Sequence, residues 1–324
     1  MRGCIRTTVH HAPVTSVPND PPLDAQTVAT LRAEEEVDGV FACTRKERQI
    51  SRAGTPYLTL ELRDSSGSIR ARAFRDADVL AGRFERGELV RVRGRVERFR
   101  DELQIELRAI ARAEGAEADP ARFLPVAYRD LDELEGFLEH LAREVYDAGC
   151  SALLQRLLGN QQLRAEIRRA PCSVPATGAG AAGRGASGHH AYLGGLLEHT
   201  VAVATLSLEL CTLHPRLDRD LLLSAAIVHD LGKTREFTYG AEIERSPQGR
   251  MLGHVELGMR LIAAAVPPAL GDERRLALEH CVLMHHGAEG GRRFASAEAV
   301  ALYRCNALDA QVKGVFEHGP AFNL

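Results

Sequence analysis

The chain has 324 residues, 45% of them hydrophobic and 26% charged, with a formal net charge of −3. These values are ordinary for a soluble globular protein with room for two domains, and the mild acidity excludes attraction to nucleic acid by bulk charge alone. No stretch approaches about eighteen uninterrupted apolar residues and the N-terminus lacks the apolar centre of a secretory signal, so a cytoplasmic protein with no membrane span is expected.

Residues 1 to 33 are rich in Pro, Thr and Ser without sustained periodicity and are expected to form a disordered extension. From Glu36 to Arg112 the pattern changes to alternation, broken by Asp-Ser-Ser-Gly, Glu-Arg-Gly and Arg-Asp-Glu turn signals, which predicts about five short strands. Leu58, Leu60 and Leu62 mark one inward face and Val90 and Val92 another, with Arg91, Arg93 and Arg95 turned outward. Residues 34–113 therefore read as a small antiparallel β-barrel with a basic face. Over Glu36 to Arg112 there are 17 Arg and Lys against 13 Asp and Glu, a local excess of four positive charges in an acidic chain. Tyr57 and Phe74 are candidates to stack on bases, and Arg70, Arg72, Arg91 and Arg93 to meet phosphates; Phe41 and Phe99 are further aromatic candidates, and each ring could instead fill the barrel.

Residues 114–175 begin as a linker and continue as connecting helices, with an apolar face at Leu131, Leu134, Phe137, Leu138, Leu141 and Val145 and a second helix around Leu153 to Ile167. Residues 176–188 are rich in Gly and Ala and read as a surface loop. From 189 to 324 the pattern is helical throughout, so an all-α domain is expected. Seven cysteines, Cys4, Cys43, Cys150, Cys172, Cys211, Cys281 and Cys305, never form a CxxC pair, which speaks against both a disulfide framework and a zinc ribbon.

The chemistry gathers in this last part. His229 and Asp230 sit in the apolar run AAIVHDLGK, where a carboxylate needs a partner; a metal cation or a structural hydrogen bond would serve. His199 in GGLLEHT, His254 in GRMLGHVELG, His285 and His286 in VLMHHG and Asp309 in NALDA are also ligand-type residues in apolar helical segments, which favours the metal. Lys233, one turn past Asp230, is a candidate phosphate contact. His189, His190, Tyr192, Gly195 and Arg235 are candidate substrate contacts, with the Gly194-Gly195 pair allowing close backbone approach.

The barrel, with its helical insertion after the third strand, resembles an OB-fold, which binds single-stranded nucleic acid or oligosaccharide across strands 2 and 3. His199, His229-Asp230 and Asp309 resemble the H…HD…D signature of HD-domain metal-dependent phosphohydrolases. HHAYLGGLLEHT, AAIVHDLGKTREF, GRMLGHVELG, LMHHG and NALDA, following such a barrel, are similar to the YhaM-type 3′-to-5′ exoribonuclease family over residues 36 to 315. The chain departs from that family in its longer N-terminal tail and in the Gly/Ala-rich stretch before His189.

Phosphodiester hydrolysis at neutral pH needs an activated water, which a divalent ion supplies while a second holds the phosphate. His199, His229, Asp230 and Asp309 are assigned to one ion and Asp230, His254, His285 and His286 to a second, with Asp230 bridging and Asp230 and Lys233 as the catalytic pair. Donors without thiolates suit Mn²⁺ first, with Fe, Mg²⁺ or Zn²⁺ as alternatives. The leading expectation is a 3′-to-5′ exoribonuclease acting on single-stranded RNA or DNA; a homo-oligomer is compatible with it. A hydrolase of nucleotides or cyclic dinucleotides with a regulatory OB-fold, and a non-catalytic nucleic-acid-binding protein with a structural metal, are the competing readings.

Overall fold

The computed structural model describes residues 26–51, 54–175, 188–288, 291 and 293–318. The alternating segment forms β1 (Glu36–Ile50), β2 (Pro56–Asp64), β3 (Gly67–Ala73), β4 (Leu89–Phe99) and β5 (Glu102–Arg112), closed into a barrel in the order β1-β2-β3-β5-β4. All neighbours are antiparallel except β3 and β5, an OB arrangement as the sequence predicts. Leu58, Leu60, Leu62, Val90 and Val92 are buried inside with Phe41, and the short helix α1 (Ala77–Ala81) covers the core with Ala77 and Leu80.

The last residues of the expected N-terminal extension belong to the barrel. Val28–Thr30 form a 3-10 turn whose Val28 N–H donates to Asp64 Oδ2 at 2.7 Å, and Leu31 is buried in the barrel core. Residues 1 to 25 of that extension lie outside the described residues, as do residues 176 to 187 of the Gly/Ala-rich stretch.

The second domain is a bundle of α2 (Leu131–Arg143), α3 (Ala148–Leu158), α4 (Gln161–Arg169), α5 (Gly195–Leu213), α6 (Arg219–Val228), α7 (Lys233–Glu236), α8 (Pro247–Ala265), α9 (Asp272–Met284) and α10 (Ala297–His318). Asp130, Asp147, Asn160, Asp218 and Ser246 each accept a first-turn N–H, which starts α2, α3, α4, α6 and α8. The single helix expected around Leu153 to Ile167 is two helices, because the chain turns at Gly159 and Asn160 caps the next one through Leu163 N–H at 3.1 Å. By length and composition α5 could cross a membrane, but it is the centre of the bundle, packed between α2, α4, α6 and α10.

The domain is also not wholly helical. A two-stranded ribbon, β6 (Phe237–Tyr239) and β7 (Ile243–Arg245), projects between α7 and α8 and fastens the bundle to the barrel. Ala241 N–H donates to the Gly87 carbonyl at 3.0 Å, Arg63 donates to the Ala241 carbonyl at 3.1 Å, and Ala241 is buried with Ala42, Leu89 and Phe123. Arg86 pairs with Glu244 beside them. Three-residue strands inside a Gly- and Pro-flanked turn carry too little periodicity to be read from sequence.

Candidate metal centre

The apolar face of α6 drives its C-terminus into the core, so His229 and Asp230, in the turn that follows, are fully buried. That turn must pass close to α8: a Cβ on Gly232 would lie 1.9 Å from the His254 carbonyl oxygen, so only glycine fits. Helix α8 breaks at Gly253, whose φ of 71° favours glycine, and the break turns His254 toward Asp230.

Four imidazoles surround Asp230, each with Nδ1 turned outward and Nε2 inward. Nδ1–H of His229 donates to the Ala226 carbonyl at 2.8 Å, that of His285 to Val282 at 2.5 Å, and that of His199 to Asp309 Oδ2 at 2.6 Å, while Nδ1 of His254 faces Glu236 Oε2 at 3.1 Å. The inner nitrogens then carry lone pairs. His229 and His199 Nε2 lie 3.3 and 3.4 Å from Asp230 Oδ2, and His254 and His285 Nε2 each lie 3.4 Å from Oδ1. His286 joins the second pair, with Nε2 2.8 Å from that of His254.

A structural hydrogen bond would need a proton between one imidazole and the carboxylate; here acceptors face one another. Asp230 Oδ1 is buried with no hydrogen-bond partner, which costs about 1–3 kcal/mol if nothing satisfies it. His199 Nε2 also lies 3.0 Å from Asn306 Oδ1, again two acceptors unless a proton or cation intervenes. The groups His199, His229, Asp230 and Asp230, His254, His285, His286 each bring their ligand atoms within 4.8 Å of one another. An inward-facing, sulfur-free set of imidazoles around one carboxylate fits divalent cations, with outer acceptors fixing each ring as metal-bound histidines require.

The electrostatics agree. Burial pushes the Asp230 carboxyl up, yet Lys233 Nζ at 2.7 Å and the surrounding imidazoles outweigh it and hold the group well below the usual carboxylate range. Burial holds His285 down at about 4, so that ring is neutral at physiological pH. For His199 burial acts downward, but the carboxylates of Asp230 and Asp309 outweigh it and shift the ring upward, so positive charge is favoured at that point of the centre.

Several expected residues are placed differently. Asp309 accepts from Nδ1 of His199 and from Nε2 of His190 at 2.9 Å, and its ligand atoms gather with those two imidazoles, in a group that shares His199 with that of His229 and Asp230. Lys233 is buried beside Asp230 and also donates to Cys172 Sγ at 3.1 Å. His190 and Tyr192 belong to an interior chain: the Tyr192 hydroxyl donates to Glu198 at 2.6 Å, Nδ1 of His190 meets that hydroxyl at 2.8 Å, and Lys313 donates to Glu198 at 3.1 Å. Gly195 is buried against the His190 carbonyl instead of offering backbone to a ligand, and Arg235 pairs with Glu166 on α4 at 2.5 Å. His189 is half-buried beside His199, with ring centroids 5.6 Å apart. Glu236, Asn306 and Glu198 were not anticipated from the sequence.

On the barrel, a groove of about 650 Å³ crosses β1, β2, β3 and β5, lined in part by Arg45, Thr59, Arg70 and Arg72. On the same outward face Tyr57 stacks on Phe74 with centroids 5.6 Å apart, and Arg72 lies 5.2 Å over the Phe99 ring. Arg91 and Arg93 are elsewhere: both bind Asp38 of β1, at 2.9 and 3.0 Å, and Arg91 also pairs with Glu117. Alternation correctly turns them outward, but β4 borders the acidic end of β1, so their charge is neutralised locally.

Residues 196–311 match the HD domain family and residues 43–111 the OB-fold nucleic acid binding domain family. The chain is 30% identical over 260 residues to the 3′-5′ exoribonuclease YhaM of Bacillus velezensis, covering 79% of this chain and 78% of that protein. It is 29% identical over 262 residues to the protein of the same name from Shouchella clausii, covering 79% and 76%. Among solved structures it is similar to the second OB-fold domain of replication protein A from Methanococcus maripaludis, at 20% identity and a TM-score of 0.24, over 28% of this chain and 97% of that one.

Proposed function

From the chain's membership of the YhaM family of 3′-5′ exoribonucleases, we propose that it is itself a divalent-metal-dependent phosphodiesterase that shortens single-stranded RNA from the 3′ end. The observation that carries this reading is the convergence of four imidazole Nε2 atoms on the two oxygens of buried Asp230. His199 and His229 would hold one ion and His254, His285 and His286 a second, with Asp230, which turns one oxygen to each set, available to both, and Asp309 orienting His199. Divalent ions held there supply water activation and neutralise the scissile phosphate. Mn²⁺ fits the nitrogen and oxygen donors, with Fe, Mg²⁺ or Zn²⁺ as alternatives.

The remaining work falls to the chain's own groups. Lys233 is a buried point charge beside Asp230, placed to stabilise charge on a phosphate oxygen that enters the centre. Arg70, Arg72, Tyr57 and Phe74 offer the strand a grip by phosphate contact and stacking, outside the chemical step. A cytoplasmic location suits such a substrate. The test is a comparison of 5′-labelled single-stranded RNA, single-stranded DNA and a cyclic dinucleotide at equal concentration with Mn²⁺. The proposal predicts a ladder shortening from the 3′ end of RNA; preferential cleavage of the cyclic dinucleotide would replace it with a small-nucleotide hydrolase.

A further inference from the structure

One ligand group contains a sulfur. Cys172 Sγ, His189 and His199 bring donor atoms within 4.8 Å of one another, whereas the other such groups among the described residues hold only imidazoles and carboxylates. We propose that Cys172, His189 and His199 form a separate site for a thiophilic divalent cation of the zinc class, which competes with the Asp230 cluster for His199 and so inhibits the enzyme. The binding site stands on its own geometry; the inhibition rests on the phosphodiesterase reading.

The juxtaposition is built into the backbone. Cys172 N–H donates to the His190 carbonyl at 3.0 Å and the Ser173 hydroxyl donates to the His189 carbonyl at 2.7 Å, so the segments at 172–173 and 189–190 are pinned side by side. His199 reaches the same point from the first turns of α5. Zinc takes sulfur at about 2.3 Å and imidazole nitrogen at about 2.0–2.1 Å, which sets tetrahedral donors roughly 3.4–3.6 Å apart. The present spacing closes to that with about an ångström of side-chain movement. Asp230 Oδ2, 3.9 Å from Cys172 Sγ, adds negative charge, set against the positive charge of Lys233 Nζ 3.1 Å from the same sulfur, so the site rests on its donor set and not on a local excess of negative charge.

Softness separates the two sites. Manganese and magnesium prefer oxygen and nitrogen donors, whereas thiolate selects zinc and its heavier analogues. On binding, the S–H bond breaks, the sulfur–metal bond forms and the proton leaves to solvent, since a coordinated thiol is deprotonated outright. Nothing is oxidised or reduced. His199 belongs to both donor groups, and the movement that closes this one around an ion draws its ring away from Asp230.

The full-length protein, supplied with Mn²⁺, is titrated with Cd²⁺ as wild type and as Cys172→Ser, which keeps a polar group against Lys233. A near-ultraviolet sulfur-to-cadmium charge-transfer band is expected in the wild type and not in C172S, and His189→Gln should weaken the Cd²⁺ affinity by about tenfold while keeping the band. In parallel, Zn²⁺ added to Mn²⁺-supported RNA hydrolysis should inhibit the wild type at a concentration about tenfold lower than C172S. Identical bands in wild type and C172S, no band in either, or equal zinc sensitivity would overturn the proposal. The band reads the site even if RNA is not the substrate, so the two readings fail separately.

Discussion

Lys233 Nζ lies 2.7 Å from Asp230 Oδ2, both groups buried, so the lysine of the HDLGK segment is part of the centre and not a helix-end charge in solvent. Burial works against its charge, but Asp230 and the Cys172 sulfur outweigh it and push its pKa above the ordinary lysine value. A cation so held is preorganised for a phosphate oxygen. Lys233→Ala should lower kcat by on the order of 10²-fold with metal content unchanged. Steady-state kinetics beside elemental analysis checks both, and an unchanged kcat would leave Lys233 only a structural partner of Asp230.

Glu236 turns His254 by accepting at its Nδ1, and Arg245 steadies Glu236 at 3.5 Å. Loss of such an outer partner typically weakens metal affinity by about 10–100-fold. Glu236→Gln should therefore need about that much more Mn²⁺ for half-maximal rate and approach wild-type kcat at saturating metal. Unaltered metal dependence would show that His254 does not need this partner.

Glu198 gives a pH dependence. Burial pushes its carboxyl up, but bonds from His190, Tyr192 and Lys313 prevail and hold it at about 2, against 4.5 for an ordinary glutamate. A depressed folded pKa contributes stability that is present above the unfolded value and lost as pH falls through the folded one. In chelator-treated protein, wild type should exceed Glu198→Gln in stability above about pH 5, and the gap should close between about pH 4.5 and 2. Thermal melts across that range decide it; a pH-independent gap would mean the carboxylate is not held ionised by these partners.

How much of this was legible follows from what each residue type reveals. His229, Asp230, His254 and His285 stood out because ligand-type residues are out of place in apolar helical segments, and the structure brings these four together. Glu236 sits in KTREFTY, where an acid beside basic residues looks like any solvated helix end; only the packing of α7 against α8 buries it. Asp309 was readable as part of the centre, but which side of the His199 ring it takes depends on the approach of α10. Period two told which face of β4 carries Arg91 and Arg93, but not that β1 would present Asp38 to them, because strand order is a property of closure.

That distinction can be measured on the barrel. Arg72 faces the groove and Arg93 shares Asp38, so Arg72→Ala should raise KM for long single-stranded RNA and flatten its salt dependence, while Arg93→Ala leaves both nearly unchanged. Tyr57→Ala should cost about 1–3 kcal/mol of affinity if a base stacks there. Point variants are preferable to deleting the barrel, which would uncover Ala241 and its apolar neighbours. Equal effects of Arg72 and Arg93 would place the strand outside the groove.

The most direct measurement is metal stripping and return. Wild type and Asp230→Asn, treated with chelator and then dialysed against Mn²⁺, are assayed for bound metal and for shortening of 5′-labelled single-stranded RNA. The account predicts about two ions per wild-type chain, with 3′-end shortening lost on stripping and restored with the metal, and near loss of both in Asp230→Asn. RNA shortening by stripped wild type, or full metal content and activity in Asp230→Asn, would contradict it.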